Sequence, residues 1–144
     1  MSDSSIEPGG APLPEPNTYN PIFSSSMSLG TPVAFSTSVH DEVVPAKANV
    51  VGTTYAIGVV IRNCSTAGER GGVRYAGAVT LTSWADVLDT GTELETGKPY
   101  YVSNATAGKL TKTAPASGYV CPVGFAASPT TLFVQPSFPT AAIG

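Results

Sequence analysis

Charge is scarce in this chain. Only 12% of its 144 residues are Asp, Glu, Lys or Arg, about half the roughly 25% of ordinary soluble domains. The basic residues are scattered, the net charge is -3, and Glu69 offsets the one locally basic stretch at Arg70 and Arg74. Phosphate neutralisation needs clustered cations, so neither a nucleic-acid nor an anionic-membrane partner is expected. Two cysteines, Cys64 and Cys121, are too few for a disulfide framework. Both lie in strand-like runs and read as small buried hydrophobes rather than as a bonded pair. No run approaches the roughly 18 apolar residues of a membrane span. The first residues, Met1 to Pro8, show neither a charged nor an apolar signal region, so no secretory signal is expected. The sequons at Asn63 and Asn104 then read as chance matches. Long helical periodicity is also missing.

What remains is a series of short β-type runs separated by turn residues. Residues 32–36, 39–44 and 55–62 come first, followed by 73–82. In the last of these Val73, Tyr75, Val79 and Leu81 share one face, the alternation of a half-buried strand. Residues 65–72, rich in Gly, form a hairpin-like loop between the two long runs. Residues 82–89 predict one short helix, with Trp84, Val87 and Leu88 on a single apolar stripe and Gly91 as its stop. Trp84 is expected as a core anchor. Further strands are expected at residues 99–103, 109–113, 119–126 and 130–135, with Pro122 marking an edge or a bulge. The fold class is all-β: a small β-barrel or sandwich with one short helix, plus an extended N-terminal arm.

The arm is residues 1–30, the β-domain 31–136 and the C-terminal tail 137–144. Pro8, Pro12, Pro14, Pro16 and Pro21 fix φ and remove amide donors, so the arm is expected to be extended and excluded from a sheet interior. Ordering each residue costs about 1–2 kcal/mol, more than its few apolar side chains can offset alone. An ordered arm therefore implies either a neighbouring molecule or a return of the arm onto its own domain. Leu13, Tyr19, Ile22 and Phe23 are the candidate contacts in the arm, and Phe138 is the candidate in the tail. Tyr100 and Tyr101 must face opposite ways in a strand, which makes the outward Tyr101 a further candidate contact. Low charge suits close packing against another subunit, although an all-β chain with many turns would show it too.

Groups for chemistry are few. His40 is the sole histidine, and in a strand it would share a face with Glu42 but not with Asp41. Zinc needs at least three well-placed ligands, so no metal site is expected. No Gly-x-Ser-x-Gly turn is present for a triad. Glu93 with Glu95, or Asp86 with Asp89, could in principle form the carboxylate pair of a glycoside hydrolase, but both pairs sit in turns without an aromatic platform. Gly71-Gly72 lacks the following Lys and Ser or Thr of a phosphate loop. No catalytic residue, cofactor or metal is assigned, and the chain is not expected to be an enzyme.

The order Ala56-Ile-Gly-Val, the Trp84 segment, Tyr100-Tyr101-Val102-Ser103, Gly108-Lys109-Leu110-Thr111 and Val123-Gly124 through Leu132 resembles a β-domain of tailed-bacteriophage structural proteins. That domain occurs in head decoration proteins and in head or tail fibres. The similarity spans about Ala56 to Pro136, with Val102 standing where leucine is usual and Cys121-Pro122 as a second departure. It implies a capsid decoration (cement) protein. Such a protein would bind the outer head surface as a homotrimer, bridge subunits of the major capsid protein, and belong to a virion assembled in the host cytoplasm. A fibre or receptor-recognition module is the alternative, and a depolymerase the third.

Overall fold

The computed structural model describes residues 16–48, 55–137 and 140–141. Its strands, in chain order, are β1 (Thr18–Tyr19), β2 (Ile22–Phe23), β3 (Pro32–Phe35), β4 (Glu42–Pro45), β5 (Gly58–Arg62), β6 (Gly72–Arg74), β7 (Gly77–Thr80), β8 (Pro99–Val102), β9 (Leu110–Thr111), β10 (Tyr119–Val120), β11 (Pro122–Ser128), β12 (Thr131–Val134) and β13 (Thr140–Ala141). The fold is all-β. Six strands form a first sheet in the order β1-β6-β5-β3-β4-β2, and five form a second in the order β7-β12-β11-β8-β9. A two-stranded ribbon pairs β10 with β13.

The first sheet curls and closes on itself. Its edge strand β2 runs parallel to β4, and on its other side Ile22 bridges antiparallel to Arg70, just before β6. Because β1 also pairs with β6, Thr18 opposite Arg74 and Tyr19 opposite Val73, residues 17–23 form one continuous ladder against residues 69–75. Its rungs include Tyr75 N–H to Asn17 O at 3.0 Å, Gly71 N–H to Pro21 O at 3.2 Å and Phe23 N–H to Glu69 O at 2.9 Å. Pro21 has no N–H to return to Gly71. The Asn20 side-chain amide supplies that donor instead, reaching Gly71 O at 3.1 Å.

This closure corrects the expected boundary of the arm, whose residues 1–15 lie outside the described residues. Residues 16–30 belong to the fold, and the described fold begins at Pro16 rather than at residue 31. Proline is confined to positions where the ladder does not need its N–H; Pro21 sits between β1 and β2, and Asn20 supplies the donor there. Phe23 is completely buried inside the closed sheet with Met27, Val33, Val43, Val60, Cys64 and Val73. It is a core residue and not a partner contact.

A second apolar cluster lies between the two sheets. β3 and β5 serve both clusters: Val33 and Val60 point into the closed sheet, while Ala34 and Val59 pack against the second. Strands buried on both faces read as unbroken apolar runs, as Gly58-Val-Val-Ile does. Trp84 anchors this second cluster and donates from Nε1 to Thr130 O at 2.8 Å.

Three other expectations change. Residues 73–82 are two strands, not one. Gly77 (φ 98°) breaks the run and passes the chain from β6 in the first sheet to β7 in the second. The expected helix at residues 82–89 shrinks to one 3-10 turn, Ala85–Val87, because Leu88 is drawn into a parallel bridge with Leu110. Its buried Trp84, Val87 and Leu88 are as expected. Residues 39–41 are turn, so β4 starts only at Glu42. Pro122 does mark a bulge, since the register of β11 on β8 shifts between Pro122 and Gly124. It does not mark an edge, because β11 lies between β8 and β12.

Closure leaves little room under Phe23. A Cβ on Gly71 would stand 2.4 Å from Phe23 Cζ and 2.7 Å from Arg62 O. Gly71→Ala should therefore destabilise the protein by about 1–3 kcal/mol, the usual cost of overpacking. Urea unfolding would measure it. A change below about 0.5 kcal/mol, the scale of an ordinary surface substitution, would show that the Phe23 ring is not confined there.

Candidate binding surfaces

The aromatic residues are divided between core and surface. Tyr19, Phe35, Tyr55, Tyr75, Phe125 and Phe133, half of the chain's aromatics, are 37–51% exposed. They fall into two groups, and the register of the strands explains each.

The first group rims one end of the closed sheet. Tyr19 is opposite Val73 in the β1–β6 pairing, and Phe35 is opposite Val43 in β3–β4. Val73 and Val43 point inward, so Tyr19 and Phe35 lie on the same inner face but beyond the filled interior. Their rings meet edge to face at 6.0 Å, an arrangement favoured by the ring quadrupoles. With Thr18, Ile57, Val73 and Tyr75 they line an open cavity of about 340 Å³. An adjoining groove of about 400 Å³ shares Phe35 and Ile57 and adds Tyr55, Ser36 and Thr37. Among the described residues no charged side chain lines either hollow. The Tyr19 hydroxyl donates to Asp41 Oδ1, while Arg70 donates to Asp41 Oδ2 at 2.7 Å and to Asn20 O at 2.8 Å. This cluster ties the N-terminal strand to the turn before β4 and to the chain entering β6.

The second group lies on the outer face of the second sheet. Phe125 and Phe133 are opposite one another across β11 and β12. The row continues to Ala78 on one side and Pro99 on the other. Beside it, Pro99, Tyr101, Pro122, Phe125 and Gln135 line a cleft of about 450 Å³. Alternation along residues 119–126 would place Phe125 with the buried Cys121 and Val123. The bulge at Pro122 and Gly124 offsets that alternation, turning Phe125 outward and Ala126 inward.

Of the contact candidates named from sequence, Tyr19 stands on the rim and Tyr101 in the cleft. Tyr100 is buried as the opposite face requires, and its hydroxyl accepts from Glu95 N–H at 2.8 Å. Ile22 is half-buried within β2, and Phe23 is core. Leu13 and Phe138 lie outside the described residues. β13 pairs residues 140–141 of the C-terminal tail with β10. Sequence reading missed Phe35, Tyr55, Phe125 and Phe133, and set Tyr75 on one strand face with Val73, Val79 and Leu81. The strand pairings that expose them have no local signature.

The groups weighed for chemistry do not converge. His40 is exposed in the turn between β3 and β4 rather than within a strand. Among the described residues no cluster of three or more His, Cys, Asp or Glu could hold a metal. Glu95 pairs with Lys112 at 2.5 Å, and Asp89 accepts from Ser103 Oγ at 2.7 Å. Asp86 enters through its backbone carbonyl, which takes the Lys109 ammonium at 2.5 Å. Cys64 and Cys121 are free and buried in separate clusters. Burial pushes the Cys121 thiol up, against a weaker opposing hydrogen bond from Ala56 N–H. Among the described residues no helix is long and apolar enough to cross a membrane.

The chain matches no protein-family model and no curated protein. Its functional reading rests on this geometry and on the residue pattern.

The hydrogen bond and charge of Lys112 hold the Glu95 carboxyl below its ordinary value, and Glu95 raises the Lys112 ammonium in return. The depressed carboxyl adds stability above the ordinary carboxylate pKa, and that contribution is lost as pH falls through the lowered value. Both side chains are exposed, so water screens the pair and the effect on unfolding should be small. Lys112→Met should move the Glu95 titration upward in carboxyl NMR. An unmoved titration would mean that the pair does not persist in solution.

Proposed function

We propose that this protein is a virion binding module, a capsid decoration (cement) protein. It attaches to the outer surface of an assembled phage head and bridges neighbouring major capsid subunits. The observation that carries this reading is the paired Phe125 and Phe133 on an open sheet face, continued by Ala78 and Pro99. Full burial of a large apolar side chain contributes about 1.5–3 kcal/mol. A partner that covered this row would gain that free energy, and aromatic side chains of this kind anchor protein interfaces. The low overall charge of the chain, 12% of residues, limits the repulsion that would oppose close contact.

The mechanism is mass action. A protein that binds only the assembled shell stabilises it by RT ln(1 + [L]/Kd), and repeated weak contacts add through multivalency. The resemblance to phage structural domains supports the same reading. It also keeps the fibre or receptor-recognition module as the alternative, favoured by the half-open cleft at Pro99, Tyr101 and Pro122, which could accept a ligand. Carboxylates tied to local partners, such as Glu95 and Asp89, give a depolymerase little support.

Purified protein should co-sediment with heads of its phage that lack it, and should not adsorb to host cells without heads. Phe125→Ser with Phe133→Ser should weaken head binding at least about tenfold, the loss expected on removing a hot-spot pair. Folding can be followed through Trp84 fluorescence. Unchanged head binding by the folded double variant would overturn the assignment of this face. Adsorption to cells with no binding to heads would replace the decoration reading by the fibre reading.

A further inference from the structure

The aromatic end of the closed first sheet is not used by the reading above. Its hollow is walled by strand ends and the residues beside them: Thr18 and Tyr19 of β1, Phe35 at the end of β3, Ile57 just before β5, and Val73 and Tyr75 where β6 closes. The hollow is therefore the mouth of a small closed sheet, a place where ligand sites recur because the interior is filled and the rim is not. The hollow and its adjoining groove measure about 340 and 400 Å³, within the roughly 300–1,000 Å³ of small-molecule sites. They share Phe35 and Ile57, so they form one track with two compartments.

Three properties of the walls select the ligand. Among the described residues they carry no charge, so an ion would lose its hydration there without gaining a counter-charge. They carry hydroxyls beside the rings, from Thr18 and Tyr75 in the hollow and from Ser36, Thr37 and Tyr55 in the groove. A wholly apolar ligand would cover those groups and leave them unpaired. Tyr19, finally, is held in place. Its ring meets Phe35 edge to face, and its hydroxyl is tied to Asp41, which Arg70 fixes in turn. A ring already fixed gives up little rotamer freedom when a ligand covers it. A pyranose ring meets all three conditions. It is uncharged, the C–H bonds of one face lie against the electron-rich face of an aromatic ring, and its hydroxyls reach outward to side-chain hydroxyls. An extended peptide fits less well, because its backbone needs a strand edge to pair with, and β1 beside the hollow is two residues long. We infer that the mouth of the closed first sheet binds a neutral saccharide, with one sugar ring against Tyr19, Phe35 and Tyr75 and the next against Tyr55. This site is separate from the Phe125 and Phe133 face, and the inference holds whether or not that face meets a capsid. An open site binds weakly in each copy, so single free molecules are not retained on a glycan surface, whereas an array of copies is.

The test titrates full-length protein with maltose, cellobiose, lactose and N,N′-diacetylchitobiose, following the tyrosine and phenylalanine ring protons by NMR. At least one of these disaccharides should shift the Tyr19, Phe35 and Tyr75 signals saturably and receive magnetisation from them on its C–H face. Phe35→Ser with Tyr75→Ser should weaken that binding at least about tenfold, as loss of two aromatic anchors does, while Trp84 fluorescence stays unchanged. Tyr55→Ala should bring the disaccharide down to the affinity of its monosaccharide. Phe125→Ser with Phe133→Ser should bind sugar like the unaltered protein, which separates this site from the head-binding face. Ring signals unmoved by all four sugars would overturn the inference. Shifts confined to Tyr101 and Phe125 would overturn it in favour of the cleft on the second sheet. A proline-rich peptide or an alkyl glycoside's free alcohol that moves the rim signals where no sugar does would replace the saccharide by a peptide or an apolar ligand.

Discussion

The structure depends on the ladder between residues 17–23 and residues 69–75. Without it the first sheet would be open, with two unpaired edges and Phe23 in water. With it, β2 is held on both sides, by β4 and by the chain around Arg70, and the first apolar cluster becomes an enclosed interior. Two details make the ladder possible. Asn20 replaces the donor that Pro21 lacks, and Gly71 leaves the space that the Phe23 ring fills. Closure also removes exposed strand edges, a standing risk of uncontrolled association in β proteins.

Closure in turn sets where the aromatics go. A closed sheet of so few strands has a narrow interior, and apart from Phe23 its lining is mostly valine. The inter-sheet cluster is wider and accepts Trp84 and Tyr100, but alanines at 34, 46, 48 and 56 keep the sheets close. Larger rings that extend past these limits end at the rim or on an outer face. Tyr19 and Phe35 show this most clearly: their strand parity is that of inward residues, yet they lie where the interior has run out. The same constraint that fixes the core therefore produces the apolar surfaces on which a contact function would rest.

Much of the architecture was legible from the residues alone. Alternation and turn signals gave the all-β class, the hairpin at residues 65–72 and the strands at residues 32–36, 99–103 and 130–135. The opposite facing of Tyr100 and Tyr101 was also legible, because it follows from strand geometry without any partner. What was not legible required knowledge of the pairing. Proline density marked residues 16–23 as an arm because the rescue by Asn20 depends on Gly71, fifty-one positions away. The strand at residues 73–82 looked continuous because a glycine at position 77 is compatible with a strand until its φ is known. Phe125 alternates in sequence with the buried Cys121 and Val123, and the bulge that turns it outward cannot be counted from one strand. In each case the local rule was right, and a distant partner changed its consequence.

The candidate surfaces were the least legible part, and the reason bears on function. A catalytic site announces itself in sequence through unusual residue types, whereas an adhesive face is made of ordinary ones and exists only as a product of register. Phe125 and Phe133 become a pair because β11 and β12 align them, and Ala78 and Pro99 extend the row because β7 and β8 align in turn. The polar groups nearest to chemistry are engaged in holding loops. Asp89 accepts from the Ser103 hydroxyl, which also accepts from Ala105 and Thr106 N–H, and Asp41 gathers Tyr19 and Arg70 at the closure. A scaffold that uses its carboxylates as ties and leaves its aromatics outside is suited to binding by area. In the decoration role proposed above, such binding would be modest for each copy and would gain its strength from repetition.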